Sequence, residues 1–156
     1  MVKLRKVRAD ERELFWNINQ KYLYEMTSYY PDEMDENGNY HYGYFDAYFI
    51  EKERIAMFIL SDERIVGFVM LNSYSYTGHE VDKVIAEFTI FPSFRRNRFA
   101  FEAAGLILSA YPGRWEIKYN EKNSAAKALW NKVAAPFCPT VYRLNEFETV
   151  LKFTNH

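Results

Sequence analysis

The sequence predicts an α/β fold of the α+β type, a mixed sheet with helices packed on it. Three observations lead there. The signals run strand, helix, long loop, three strands, helix, strand, helix and two strands, which is neither regular strand–helix alternation nor two segregated blocks. Two central runs are strongly apolar on either side of a short polar turn. Both later helical segments carry apolar residues at helical spacing. With 156 residues, 49% of them hydrophobic, the chain can bury one core but not two, so a single domain over residues 1–156 is expected.

Val2, Leu4 and Val7 interleave with Lys3, Arg5 and Lys6 as in a short opening strand. Asp10 and Glu13 then have capping-box spacing, and Leu14, Ile18 and Tyr22 recur at helical spacing beside Phe15 and Leu23, with the helix fading near Thr27. From Tyr29 to Tyr48 the chain is rich in tyrosine, acidic residues and turn formers, which predicts a long loop with a short helix around Tyr44 to Ile50. Ala56 to Leu60 and Ile65 to Leu71 form a hairpin around Ser61 to Arg64. Lys83 to Phe91 reads as a strand alternating Val84, Ala86, Phe88 and Ile90 against Ile85, Glu87, Thr89 and Phe91, stopped by Pro92. Phe99, Ala103, Leu106 and Ala110 mark a helix that ends at Pro112 and Gly113. Trp115 to Tyr119 is a strand, and Asn123 to Val133 is a helix with Ala126, Leu129, Trp130 and Val133 along one face. Val141 to Leu144 and Glu148 to Phe153 make a closing hairpin.

A formal net charge of −1 offers no footprint for nucleic acid or an anionic membrane. Cys138, the only cysteine, excludes an internal disulfide framework and is expected to be a small packed apolar residue in a reducing compartment. No signal-like segment and no run approaching ~20 apolar residues is present, so a cytoplasmic protein is expected. Neither GxxxxGK[ST] nor GxGxxG occurs, which argues against a nucleotide-binding enzyme. His41 and His79 have no second ligand at metal spacing, and no metal site is expected.

The informative stretch is Phe88-Thr89-Ile90-Phe91-Pro92-Ser93-Phe94-Arg95-Arg96-Asn97-Arg98-Phe99-Ala100. A strand ends, arginines cluster in a turn and a helix begins, so free amides and guanidinium groups converge on an anion site. This run resembles motif A of the GNAT superfamily of N-acetyltransferases, a strand leading into (Arg/Gln)-x-x-Gly-x-(Gly/Ala), with Arg95 in the first position and Ala100 in the last. Arg98 stands where the family has Gly. Asn123 to Val133 is similar to the family's Asn-x-x-Ala-x-x-x-Tyr helix, with Trp130 in place of Tyr.

The resemblance implies a six- to seven-stranded, largely antiparallel sheet, splayed between strands 4 and 5, with helices on both faces. It implies acetyl-CoA as co-substrate. Phe88, Thr89 and Ile90 would pair with the pantetheine arm, the amides of Arg96, Asn97, Arg98, Phe99 and Ala100 would cradle the pyrophosphate, and Asn123 would approach the sulfur or simply cap its helix. At Arg98 a right-handed backbone would point the side chain away. A left-handed one would cost about 1–2 kcal/mol, against which guanidinium–phosphate hydrogen bonds would act.

An alkylammonium, with a pKa near ~10.4, must lose a proton before it attacks a thioester. Glu87, a carboxylate inside an apolar strand, is the candidate base, its other reading being a solvent-facing or cross-strand-paired residue; Glu80 and the acidic loop are fallbacks. With Trp130 unable to donate a proton and suited to the core, Tyr119 or a water is the candidate acid toward the departing thiolate. Tyr29, Tyr30 and Glu33, with Asp32, Asp35, Glu36, Tyr40 and Tyr42, lie where the family's acceptor region falls and suit a small-molecule or peptide amine, or form a solvated loop. The rival is a relative that keeps the fold and binds acyl-CoA, or regulates, without turnover. Either a monomer or a homodimer fits.

Overall fold

A computed structural model describes residues 1–156. Seven strands, β1 (Val2–Lys6), β2 (Ile55–Ser61), β3 (Arg64–Asn72), β4 (Lys83–Ile90), β5 (Arg114–Asn120), β6 (Thr140–Arg143) and β7 (Glu148–Thr154), accompany three helices, α1 (Arg12–Met26), α2 (Phe99–Ala110) and α3 (Ser124–Ala134). The strands form one sheet in the order β1-β2-β3-β4-β5-β7-β6. Every neighbouring pair is antiparallel except β4 and β5. The β2–β3 turn consists of Asp62 and Glu63, whose φ angles of 50° and 62° have the sign that suits the twist of a two-residue hairpin.

Alternation along β2 and β3 divides the core. Ala56, Phe58, Leu60, Phe68 and Met70 face Phe15 of α1 together with Phe45 and Tyr48. Phe15 meets Phe58 and Phe68 edge-on, with ring centres 5.7 Å and 5.2 Å apart. On the other face Met57, Val69, Leu71, Ile85, Trp115 and Ile117 lie beneath Ala104, Ile107 and Leu108 of α2 and Trp130 and Val133 of α3. One helix covers one face and two cover the other, as expected.

Several local expectations are corrected. The capping interaction before α1 is made by Glu11, which accepts the Arg8 amide at 3.0 Å across a short 3-10 turn, while Asp10 pairs with the Arg8 side chain. Leu14 is 43% exposed, since the inward stripe of α1 runs through Phe15 and Asn19. Leu106 of α2 is likewise 41% exposed. That helix is apolar nearly all round, so its spacing does not single out a face, and it packs through Ala103 and Ala104, whose small side chains allow close approach to the sheet. Cys138 is exposed rather than packed, at a left-handed position between Pro136 and Pro139.

Strand β4 departs from simple alternation. Met70 pairs with Glu87 but Leu71 pairs with Ile85, so Ala86 is an extra residue in a β-bulge. Beyond it the pattern inverts: Ile85 and Phe88 share the α2–α3 face, and Glu87 joins the α1 face opposite Met70. The bulge coincides with a second irregularity. β4 and β5 pair only through Lys83–Trp115, Val84–Glu116 and Ile85–Ile117, and past that point the sheet opens.

Candidate active site

The opening leads into a cavity of about 1020 Å³. Its walls are Ala86, Glu87 and Phe88 of β4, Lys118, Tyr119 and Asn120 of β5, Tyr22 of α1, residues of the 29–44 loop, and Asn123, Ala126 and Trp130 of α3. Odd-numbered residues of β5, Tyr119 included, face α2 and α3, whereas Glu87 faces α1, so the two side chains enter the opening from opposite sides of the sheet.

Glu87 is held by two phenols. The hydroxyl of Tyr22 donates to its Oε1 and that of Tyr42 to its Oε2, each at 2.9 Å. Burial pushes the Glu87 carboxyl above the usual carboxylate range, while these hydrogen bonds and the charge of Lys118 pull it back. Burial and the neighbouring carboxylate push both phenols well above their ordinary range, so they remain protonated donors. A carboxylate with its charged form disfavoured by burial, yet oriented on both oxygens, is arranged to accept a proton.

On the opposite side Tyr119, buried on β5, receives a hydrogen bond on its hydroxyl from Asn131 Nδ2 at 3.3 Å. Asn123 accepts the Ala126 amide at 3.1 Å and caps α3. Trp130 is 4% exposed, and its ring meets Phe88 edge-on at 4.9 Å. Tyr119 and Asn123 thus both line the cavity, and of the two only Tyr119 carries a hydroxyl.

The turn after β4 is exposed and carries unused donors. The amides of Arg96, Asn97, Arg98, Phe99 and Ala100 form no hydrogen bond within the protein. Arg96 and Arg98 both adopt left-handed backbone, with φ of 67° and 64°, so the position where the motif has Gly requires the conformation glycine favours. The Arg95 guanidinium turns away from this nest: it binds the Ile90 carbonyl at 2.7 Å and Glu25 through two bonds of 2.8 Å. Thr89 and Ile90 precede the turn, with both side chains buried. The turn does not line the cavity, whose β4 wall ends at Phe88.

At the rim, Tyr29, Tyr30 and Glu33 line the cavity together with Asp32, Tyr40 and Tyr42. Tyr30 donates to Glu148 at 2.8 Å, and Glu148 pairs with Lys118 at 2.9 Å. Asp35 instead closes a local turn by accepting the amides of Asn37 and Asn39, and Glu80 is engaged at the surface by Arg114. The sequence reading missed Glu116, which is 1% exposed and binds the Ser75 hydroxyl, the Tyr76 amide and the Thr77 hydroxyl at 2.6, 2.7 and 3.0 Å. It also missed Arg54, which lines the cavity with its guanidinium against the rings of Tyr44 and Tyr74. No cluster of metal-ligating side chains is present.

No family model matches the sequence, and no curated protein matches it significantly. Solved structures do. A GNAT-family acetyltransferase from Bacillus cereus is similar at a TM-score of 0.67 and 15% identity, covering 100% of this chain and 99% of that one. The chain has the GNAT fold. Spermidine N-acetyltransferase from Vibrio cholerae, solved with CoA and spermine, shares the GNAT fold at a TM-score of 0.64, 16% identity and coverage of 97% and 92%. The N-acetyltransferase PseH from Campylobacter jejuni, solved with acetyl coenzyme A, shares it at 0.62, 12% identity and 100% of both chains. The seven-stranded, mostly antiparallel sheet with its parallel β4–β5 pair and flanking helices matches that fold.

Proposed function

We propose that residues 1–156 form one N-acetyltransferase domain that transfers the acetyl group of acetyl-CoA to a primary amine by direct attack of the amine on the thioester. The observation that carries this reading is the sheet opening beyond Ile85 and Ile117, with Glu87 entering from one side and Tyr119 from the other. Acetyl-CoA would supply the activated acyl group. The residues present fit it: five free amides at an exposed, arginine-rich helix start suit a diphosphate, and the β4 segment Phe88 to Ile90 lies past the last pairing with β5. Glu87 removes the amine proton while Tyr22 and Tyr42 hold its carboxylate in place. Tyr119 donates a proton to the departing thiolate from the other side of the opening. The rim residues Tyr29, Tyr30 and Glu33 face the incoming amine. The lone thiol at exposed Cys138 suits the reducing cytoplasm.

The test is thiol release from acetyl-CoA by the purified protein with a panel of primary amines. Acetylated product that disappears in Glu87→Gln supports the reading, and no turnover of any amine overturns it. The Phe88–Trp130 contact favours a second reading, a GNAT-fold protein that binds acyl-CoA or regulates without turnover, because the rings must part to connect the cavity with the turn.

A further inference from the structure

The corner of the cavity opposite Glu87 contains a guanidinium with unspent donors. The Arg54 side chain is 9% exposed. Its Nε donates to Glu51 at 3.2 Å, and its two terminal nitrogens hydrogen-bond to nothing in the protein. The guanidinium carbon lies 4.3 Å from the ring centre of Tyr44 and 4.7 Å from that of Tyr74, which fix the plane of the group. Two nearby acceptor atoms are in use. Glu51 Oε1 also receives the Tyr74 hydroxyl at 3.1 Å, and Asn72 Oδ1 receives the Tyr74 amide at 3.0 Å. The Tyr48 hydroxyl, buried beside Arg54 and close enough to accept from it, makes no well-formed hydrogen bond. The terminal nitrogens of Arg54 therefore keep free donors, and a planar fork of N–H groups is complementary to a carboxylate.

Register places this corner relative to the base. Ala56 pairs with Met70 and Met70 with Glu87, while Arg54 lies two residues before Ala56. Strand geometry therefore separates the Arg54 and Glu87 Cα atoms by roughly 12 Å. Both residues line the same cavity, with β3 between their strands.

We propose that the acceptor is a small amine bearing a carboxylate, an amino-acid-sized molecule whose carboxylate is gripped by Arg54 while its amine faces Glu87. This specificity role rests on the acetyltransferase reading, but the anion site is measurable without it. Thermal unfolding of the wild type would be followed with 3-phenylpropionate, propionate and the neutral 3-phenylpropionamide. A carboxylate, but not the amide, raises the midpoint of the wild type. That shift is lost in Arg54→Met, which keeps the side-chain length, and reduced in Arg54→Lys, which keeps the charge without the fork. Equal shifts from acid and amide, no shift from any carboxylate, or shifts retained in folded Arg54→Met overturn the site.

Acetyl transfer is then compared within matched pairs: L-tyrosine against tyramine, L-phenylalanine against phenethylamine, and β-alanine against ethylamine. The acid of a pair is favoured in kcat/KM by at least about tenfold, the scale of a charged hydrogen bond, and Arg54→Met erases the preference. Arg54-dependent carboxylate binding with no acetylation of any amine removes the enzymatic reading and leaves the site. Acetylation of the bare amines at rates equal to the acids, with no carboxylate binding, does the reverse.

Discussion

A carboxylate between two phenols has opposing influences on its proton, and the balance at Glu87 sets two measurable outcomes. Burial raises its folded pKa above the unfolded value, so the stability it contributes is fully present below the ordinary glutamate pKa of about 4.3 and is lost as pH rises through the folded value. Glu87→Gln, which cannot ionise, is therefore expected to gain in melting temperature relative to the wild type between pH 4 and pH 8. In the acetyl-transfer assay the same substitution is expected to lower kcat by about 10²–10⁴-fold and to abolish the acidic limb of the pH–rate profile. Arg98 offers an independent test. Its φ of 64° costs a side-chain-bearing residue about 1–2 kcal/mol. Arg98→Gly is thus expected to leave a net gain of up to about 1 kcal/mol after the added unfolded-state entropy of glycine, read as a higher urea midpoint. Both residues were visible in the sequence because each breaks a local rule, an acid in an apolar strand and a long side chain at a glycine position. Glu116 and Arg54 break no such rule, and only the folding of other segments over them makes them unusual.

The elements were legible to the extent that each advertises itself locally. The hairpin of β2 and β3, the boundaries of α2 and the Asn123 cap follow from turn residues, proline and helical spacing, and the structure has them. The Ala86 bulge had no comparable signal, because adding one small residue to an apolar strand changes neither its composition nor its ends. The segment between β3 and β4 was also silent, although a buried carboxylate organises it. Glu116 collects two hydroxyls and an amide from residues 75–77. Glu116→Ala strands those donors and is expected to cost at least ~2 kcal/mol, with faster hydrogen exchange at the Tyr76 amide as the local signature. An unchanged exchange rate would show that the segment is held by other contacts, such as the Tyr76 hydroxyl on the Ile85 carbonyl.

At the scale of the whole molecule the site is a meeting of distant parts. Tyr22 and Glu87 hydrogen-bond across 65 positions of sequence, and Tyr30 and Glu148 across 118. No local pattern encodes such pairings; the fold, recognised through two motifs, had to supply them. Long-range order of this kind predicts a global response to ligand. Acetyl-CoA at about 100 times its dissociation constant is expected to stabilise the protein by about 2.7 kcal/mol, read by thermal unfolding. Tryptophan emission should change as Trp130 leaves Phe88, and the change should vanish in Trp130→Phe. Ala86 carries the last consequence. It acts on β4 as a frame shift acts on a message: residues before it and after it are read in opposite phase. Deleting that one amino acid would leave Ile85 and Phe88 two positions apart and still toward α2 and α3, with Glu87 still toward α1, so the insertion matters for the kink it gives the strand where β5 parts from it and not for which side the acid takes.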